Sequence, residues 1–225
     1  MQQSKRTGLT IRWQPWTRTG SSSPPQSVVK FCSFKENWAA RDTIEVAQDL
    51  LGKLLVRKLD SQNLLVSQIV ETEAYLGVED PACHSFGGRK TPRTQVMFEN
   101  PGTCYVYFIY GMYHCLNLVT GNGEAVLIRA LAPLTGFASD DFKNKSLSGP
   151  GKLCRRLAID KNFNGSNLLS TKEDLFIADP QETEHLLHKD FHAGPRVGID
   201  SAGDAAHWPL RFGLKDSPYL SRPKF

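Results

Sequence analysis

From Asp42 onward the chain alternates short apolar runs with polar punctuation, and that rhythm predicts its elements. Ile44, Ala47, Leu50 and Leu51 recur at helical spacing. Asp42 stands where an N-cap belongs, Glu45 follows three residues on, and Gly52 can take the left-handed conformation that ends a helix, so a helix is expected over 42–51. Lys53–Leu59 and Leu64–Glu73, rich in Leu, Val and Ile, read as strands joined by the turn Asp60-Ser61-Gln62-Asn63. Three further strands are expected over Thr103–Ile109, His114–Thr120 and Ala125–Ala130. The link Tyr110-Gly111-Met112-Tyr113 makes the first two a hairpin with a bulky tip. Residues 136–149 read as polar and flexible, Lys152–Ile159 as a short basic helix after the Gly149-Pro150-Gly151 break, and Leu210–Leu214 as a last strand in a loop-rich remainder. Residues 77–102 carry Pro81, Gly87-Gly88, Pro92 and Pro101, and a loop region of that length inside a compact domain points to function.

Residues 1–30 differ from the rest. No acidic residue precedes Glu36, while Lys5, Arg6, Arg12, Arg18 and Lys30 are basic, and residues 20–25 read GSSSPP. The expectation is a disordered basic tail over 1–30, with an organelle transit peptide or a nonspecific DNA-binding arm as the sharper alternatives, and one folded domain over 31–225. The length of 225 residues suits a single domain with a real core. A formal charge of +4 permits a polyanionic partner without demanding one. Five cysteines without CxxC spacing read as reduced thiols of an intracellular protein. The uncharged stretch between Glu99 and Glu124 holds too many Gly, Pro, Asn and His positions for a lipid-facing helix, so no membrane span is expected.

The chemistry concentrates between Val70 and Asn117. Glu71 and Glu73 are two apart at the end of an apolar strand, share one face, and are candidates for a general base; solvated or arginine-paired carboxylates are the plainer alternative. Tyr75, His84, Tyr105, Tyr107, Phe108, Tyr110 and Tyr113 form an aromatic set. Val106 and Phe108 are expected in the core, Tyr105 and Tyr107 on the other strand face, where tyrosines can stack a nucleobase. Tyr110 and Met112 at an exposed hairpin tip suit a wedge between base pairs. Cys83-His84, Cys104 and His114-Cys115 match no zinc spacing. GPGK at 149–152 lacks the spacing of a phosphate-binding P-loop. Arg89, Lys90, Arg93, Lys152 and Arg196 are candidate phosphate contacts, with solvated surface charges as the alternative.

The runs VETEAYLGVEDPACHSFGGRKTPRT, MFENPGTCYVYFIYGMYHCLN, AVLIRALAPL and SGPGKLCRRLAI, with PRVGID and PLRF further on, resemble the alkyladenine (3-methyladenine) DNA glycosylase family of the human type, over roughly residues 31–222. The resemblance implies a single mixed α+β domain with a curved antiparallel β-sheet, flanking helices and a protruding β-hairpin. It implies hydrolysis of the N-glycosidic bond of damaged purines in double-stranded DNA, by a monomer without metal or cofactor and without a lyase step, working with DNA in a nucleus or bacterial cytoplasm. Residue by residue, Glu73 matches the base that activates water and Arg129 the arginine that helps hold it. Tyr75, His84 and Tyr107 match the residues that sandwich the flipped base, Asn117 the pocket floor, and Tyr110 the intercalating residue with Met112 beside it. His114 and Leu116 stand where the vertebrate pattern has an aromatic and a Met, and Phe86 where Arg is common. Two rivals stay open at this point: a damage-sensing DNA-binding module without turnover, and a metal-dependent hydrolase built on the Cys/His pairs.

Overall fold

The computed structural model describes residues 8–13, 27–35, 37–60, 63–180 and 190–225. Its centre is a long strand, β4 (Leu64–Tyr75). β3 (Leu54–Lys58) pairs with the first half of β4, and β10 (Arg211–Leu214) with Glu71, Thr72 and Glu73 in the second half. The opposite edge of β4 carries β7 (Glu124–Thr135) along its whole length, followed outward by β6 (Tyr113–Gly121) and β5 (Cys104–Ile109). Beyond β3 the sheet continues through β8 (Leu175–Pro180) to β2 (Ser27–Cys32) and β1 (Gly8–Trp13), and β9 (Phe191–Gly194) pairs with β10. Every ladder among the described residues is antiparallel, so the expected α+β domain with an open antiparallel sheet is what forms.

Helix α1 (Thr43–Leu50) starts where the sequence places it: the Asp42 carboxylate accepts from the backbone N–H of Ile44 at 2.9 Å and Glu45 at 3.0 Å. It buries Thr43, Val46, Ala47 and Leu50 on the sheet, while Ile44 is only partly buried. Full burial of a side chain such as Leu50 contributes about 1.5–3 kcal/mol. Thr72 on β4 faces the helix and donates to the Ala47 carbonyl at 2.8 Å, and Gly52, at φ +82°, turns the chain into β3. On that same sheet face α3 (Pro150–Arg156) contributes Leu153 and Cys154 to the principal core. The opposite face carries a smaller cluster of Cys83, Val96, Met97, Tyr105, Val119 and Ala125 under the loop region 77–102. That loop is not featureless: it folds through three short 3-10 turns, Gly77–Glu79, Phe86–Gly88 and Gln95–Phe98.

Several expectations are corrected. Phe108 is not core but exposed, stacked against His114 with centroids 4.8 Å apart. The polar stretch 136–149 contains α2 (Ser139–Lys143), whose Asp141 is fixed by Arg156 at 2.6 and 2.7 Å. Strands β8 and β9 lie in the part read as loops. The segment expected to be disordered, 1–30, lies largely outside the described residues; within it, Gly8–Trp13 and Ser27–Cys32 pair as strands. Ser61 and Gln62 of the expected turn also lie outside the described residues.

Candidate active site

The alternation of β4 decides what faces the cleft. Thr72 and Ala74 point to the helix side, so Glu71, Glu73 and Tyr75 share the other, as the two-residue spacing requires. Across the ladder the pairs Glu73↔Leu127 and Tyr75↔Ala125 put alternate β7 residues on that face. The register then shifts twice, so that Val70 and Arg129 are each skipped. Such irregularities re-aim side chains, and the skipped Arg129 brings its guanidinium to both acids: Nε donates to Glu71 Oε1 at 3.1 Å and Nη1 lies 3.2 Å from Glu73 Oε1.

The two carboxylates have different company. Glu71 Oε1 also accepts from Arg211 Nε at 2.8 Å and from the Ser221 hydroxyl at 2.9 Å, and its Oε2 from the Ser221 backbone N–H at 2.6 Å. Saturated by donors, Glu71 has a structural role, which removes it as a base candidate. Glu73 Oε1 accepts from the Val197 backbone N–H at 2.8 Å, and Oε2 from the Tyr75 hydroxyl at 2.9 Å. Glu73 is completely buried, and burial outweighs Arg129 and raises its pKa above 4.5. Burial, and then the Glu73 charge, push the Tyr75 phenol well above its ordinary value, so it stays a donor.

Tyr75, Arg129 and Val197, the three groups that hold Glu73, all line a cleft of about 580 Å³. The facing wall comes from β5 and β6, where Tyr105↔Asn117 and Tyr107↔Cys115 put four side chains on the cleft face. His84 is set against them: Nδ1 lies 2.9 Å from the Tyr105 hydroxyl and its ring meets Tyr107 edge-on at 4.6 Å. Arg93 Nη2 approaches His84 Nε2 at 3.4 Å, which assigns the Nδ1–H tautomer that donates to Tyr105. Burial, helped by Arg93, lowers the His84 pKa to about 4, so at neutral pH this histidine is uncharged. Asn117 lies at the bottom, its Nδ2 donating to the Tyr105 carbonyl at 2.9 Å. Tyr105, read with Tyr107 as a stacking tyrosine, is instead the hidden support of this wall: it is fully buried and holds His84.

The hairpin tip stands at the cleft mouth. Tyr110 is 75 % exposed and Met112 63 %, and Tyr110 takes φ +54°, a conformation uncommon outside glycine that the tight turn imposes. Tyr110 lines the cleft; Met112 lies outside it on the same turn. The hairpin is braced by α3: a Cβ on Gly151 would come within 2.9 Å of the Tyr113 ring, so the GPGK motif serves close packing. His114 and Leu116 face away from the cleft, Leu116 in the helix-side core, and Phe86 is exposed in the loop. Arg89, Lys90, Arg93 and Lys152 are exposed, but Arg196 is buried, ion-paired with Asp80 and stacked 4.7 Å behind Tyr75, which corrects its place among the phosphate contacts. The Cys/His pairs diverge: Cys83 bonds Ser85, His84 bonds Tyr105, Cys104 sits in the core and His114 stacks on Phe108.

Residues 37–218 match the family model described as Methylpurine-DNA glycosylase (MPG). A relative from Desulfitobacterium hafniense is 46 % identical over 199 residues, covering 80 % of this chain and 94 % of its own. One from Bdellovibrio bacteriovorus is 47 % identical over 186 residues, with the same coverage, and one from Clostridium perfringens 42 % over 201, covering 81 % and 95 %. All three carry the name 3-methyladenine DNA glycosylase. All are bacterial, so what the matches carry is the family and not its human-type branch. With the family match spanning β3 to β10, the loop region and the cleft alike, the chain belongs to the methylpurine-DNA glycosylase family, DNA-repair hydrolases that cut the N-glycosidic bond.

Proposed function

We propose that this glycosylase excises alkylated or deaminated purines, 3-methyladenine and 7-methylguanine with hypoxanthine and ethenoadenine as further substrates, as a monofunctional monomer on double-stranded DNA. The observation that carries the reading is the aromatic cleft whose wall is formed by the same three groups that hold the buried Glu73 carboxylate. A base taken out of the stack would lie between Tyr75 on one side and His84 and Tyr107 on the other, with Asn117 beneath it. Tyr110 would fill the gap left in the duplex, with Met112 beside it, and exposed Arg89, Lys90, Arg93 and Lys152 would meet phosphates.

In the proposed reaction a water attacks the anomeric carbon as the bond to the purine nitrogen breaks. The electron pair leaves with the base, which departs neutral if it was alkylated to a cation; a neutral lesion such as hypoxanthine must in addition take up a proton, from solvent, as it leaves. Glu73 takes the water's proton and its charge opposes the positive charge that builds on the sugar. Among the described residues Tyr75 alone bonds Glu73 Oε2, which leaves a lone pair for that water. His84, uncharged at neutral pH, supports stacking and not proton donation. Among the described residues, none of the groups that hold Glu73 is a lysine that could act as a nucleophile. The intact, buried Glu73–Arg129 pair favours an enzyme over a sensing module, which would have no use for it.

The test is direct. With chelator present, the protein should release free purine from methylated duplex and from duplexes with one hypoxanthine or ethenoadenine. The strand should stay whole until alkali is added, and borohydride should trap no adduct. A trapped adduct, or binding to every duplex without release, would refute the reading. Tyr110→Ala should lower single-turnover release by about tenfold or more while leaving the melting temperature unchanged, since an exposed side chain contributes little to the fold and a wedge offsets the unstacking cost of a few kcal/mol. The acid limb of the rate follows from Glu73. The base works ionised, and its pKa is raised, so activity should fall as pH drops through a point above 4.5. A limb at or below the ordinary glutamate value would contradict this.

A further inference from the structure

Arg129 is held at all three of its nitrogens. Nη1 faces Glu73, Nε donates to Glu71, and Nη2 donates to the hydroxyl of Ser221 at 3.1 Å. Ser221 passes the bond on, its Oγ–H donating to Glu71 Oε1 at 2.9 Å. Ser221 is buried, comes from the segment after β10, and lies beyond residue 218, where the family match ends.

We propose that Ser221 is a positioning residue for base excision, its hydroxyl fixing the direction in which the Arg129 guanidinium meets Glu73. The inference rests on Glu73 and Arg129 acting as the water-holding pair. A guanidinium is a rigid fork, so fixing Nε and Nη2 also fixes where Nη1 points. Without the hydroxyl, Nη2 becomes a buried donor lacking a partner, and the fork gains by turning away from Glu73 to find one. Serine suits the place because a hydroxyl accepts from Arg129 and donates to Glu71 at once.

A role confined to tying down the chain does not need that hydroxyl. The Ser221 backbone N–H bonds Glu71 by itself, and Arg211 Nη2 donates to the Pro223 carbonyl at 2.6 Å while its guanidinium lies 4.1 Å from the Phe225 ring centroid. Those contacts survive in Ser221→Ala. The charged and titratable groups around Glu73 also stay in place: Arg129 on β7, Glu71 and Tyr75 on β4, Tyr107 on β5, Cys115 on β6, and Arg196 behind Tyr75.

The test compares wild type, Ser221→Ala, Ser221→Thr and Glu73→Gln in single-turnover release from methylated duplex across pH, with duplex affinity and melting temperature alongside. Ser221→Ala is expected to be about five- to tenfold slower, the scale of one ordinary net hydrogen bond. Its acid limb should move to higher pH, because a displaced Arg129 opposes the protonation of Glu73 less. Affinity should stay near wild type, the melting temperature should fall by only a few degrees, the cost of one unpaired buried donor, and Ser221→Thr should restore the rate. If Ser221→Ala does not fold, Ser221→Cys keeps the shape with a weak acceptor and carries the same expectation. Wild-type rate and acid limb in the variant would overturn the proposal, as would a rate loss that follows the melting temperature with the limb unmoved. Full activity in Glu73→Gln would overturn the reading beneath it, and with it the proposal, without any change at Ser221.

Discussion

Glu73→Gln is expected to lower base release from methylated duplex by about 10²–10⁴-fold, the usual weight of a positioned general base. Duplex affinity should change by less than about twofold, because Glu73 is buried behind Tyr75, Arg129 and Val197 and meets no phosphate. The stability change should run the other way. A carboxyl whose folded pKa is raised contributes stability below its unfolded pKa and loses it as pH rises through the folded value. At neutral pH the ionised Glu73 therefore burdens the fold, and the neutral amide should leave the melting temperature unchanged or higher. A lost activity accompanied by a large fall in melting temperature would mean that Glu73 holds the fold together, and would sink its assignment as the base.

Glu71→Ala should give the opposite signature. Glu71 joins Arg129 on β7, Arg211 on β10 and Ser221 after it, so its removal leaves buried cations short of a counter-charge and four donors without their acceptor. Breaking a buried pair from one side costs about 3–5 kcal/mol. For a domain of this size that lowers the melting temperature by about 10 °C. Denaturant unfolding of Glu71→Ala beside Glu71→Gln would measure it, the amide keeping part of the hydrogen bonding. A variant within about 0.5 kcal/mol of wild type, the range of ordinary surface changes, would show that the network carries little. Two acids one residue apart from adjacency, on one face of one strand, thus differ in company, and under the proposed reading they divide into a reactive group and an anchor. The difference is one of donor count: Glu71 accepts four hydrogen bonds, and Glu73 two, with the Arg129 ion pair beside them.

Where local rules govern, the sequence was readable. Asp42 caps α1 through its own backbone neighbours, the period of two in β4 puts Glu71, Glu73 and Tyr75 on one face, and Tyr110-Gly111 makes a turn that bears its side chain outward. Each depends on residues close in the chain, so spacing suffices. The resemblance added the roles of Glu73, Arg129, Tyr75, His84, Tyr107 and Asn117, and the structure brings these residues around one cleft.

Where long-range contact governs, it was not. Phe108 has the composition of a core residue but lies on the part of the hairpin that extends past the helices, so it stays exposed. Arg196 has the look of a surface cation until Asp80, 116 positions away, and the Tyr75 ring enclose it. β8 looks like part of a loop because its neighbours β3 and β2 come from far back in the chain. The same holds for the site's deepest layer. The sequence by itself determined the carboxylate, the aromatic set and the faces they occupy, because alternation and turn chemistry are local. Only the tertiary structure decided which carboxylate is filled by donors, since that depends on Arg211 and Ser221, about 140 and 150 residues further along, closing on Glu71 and not on Glu73.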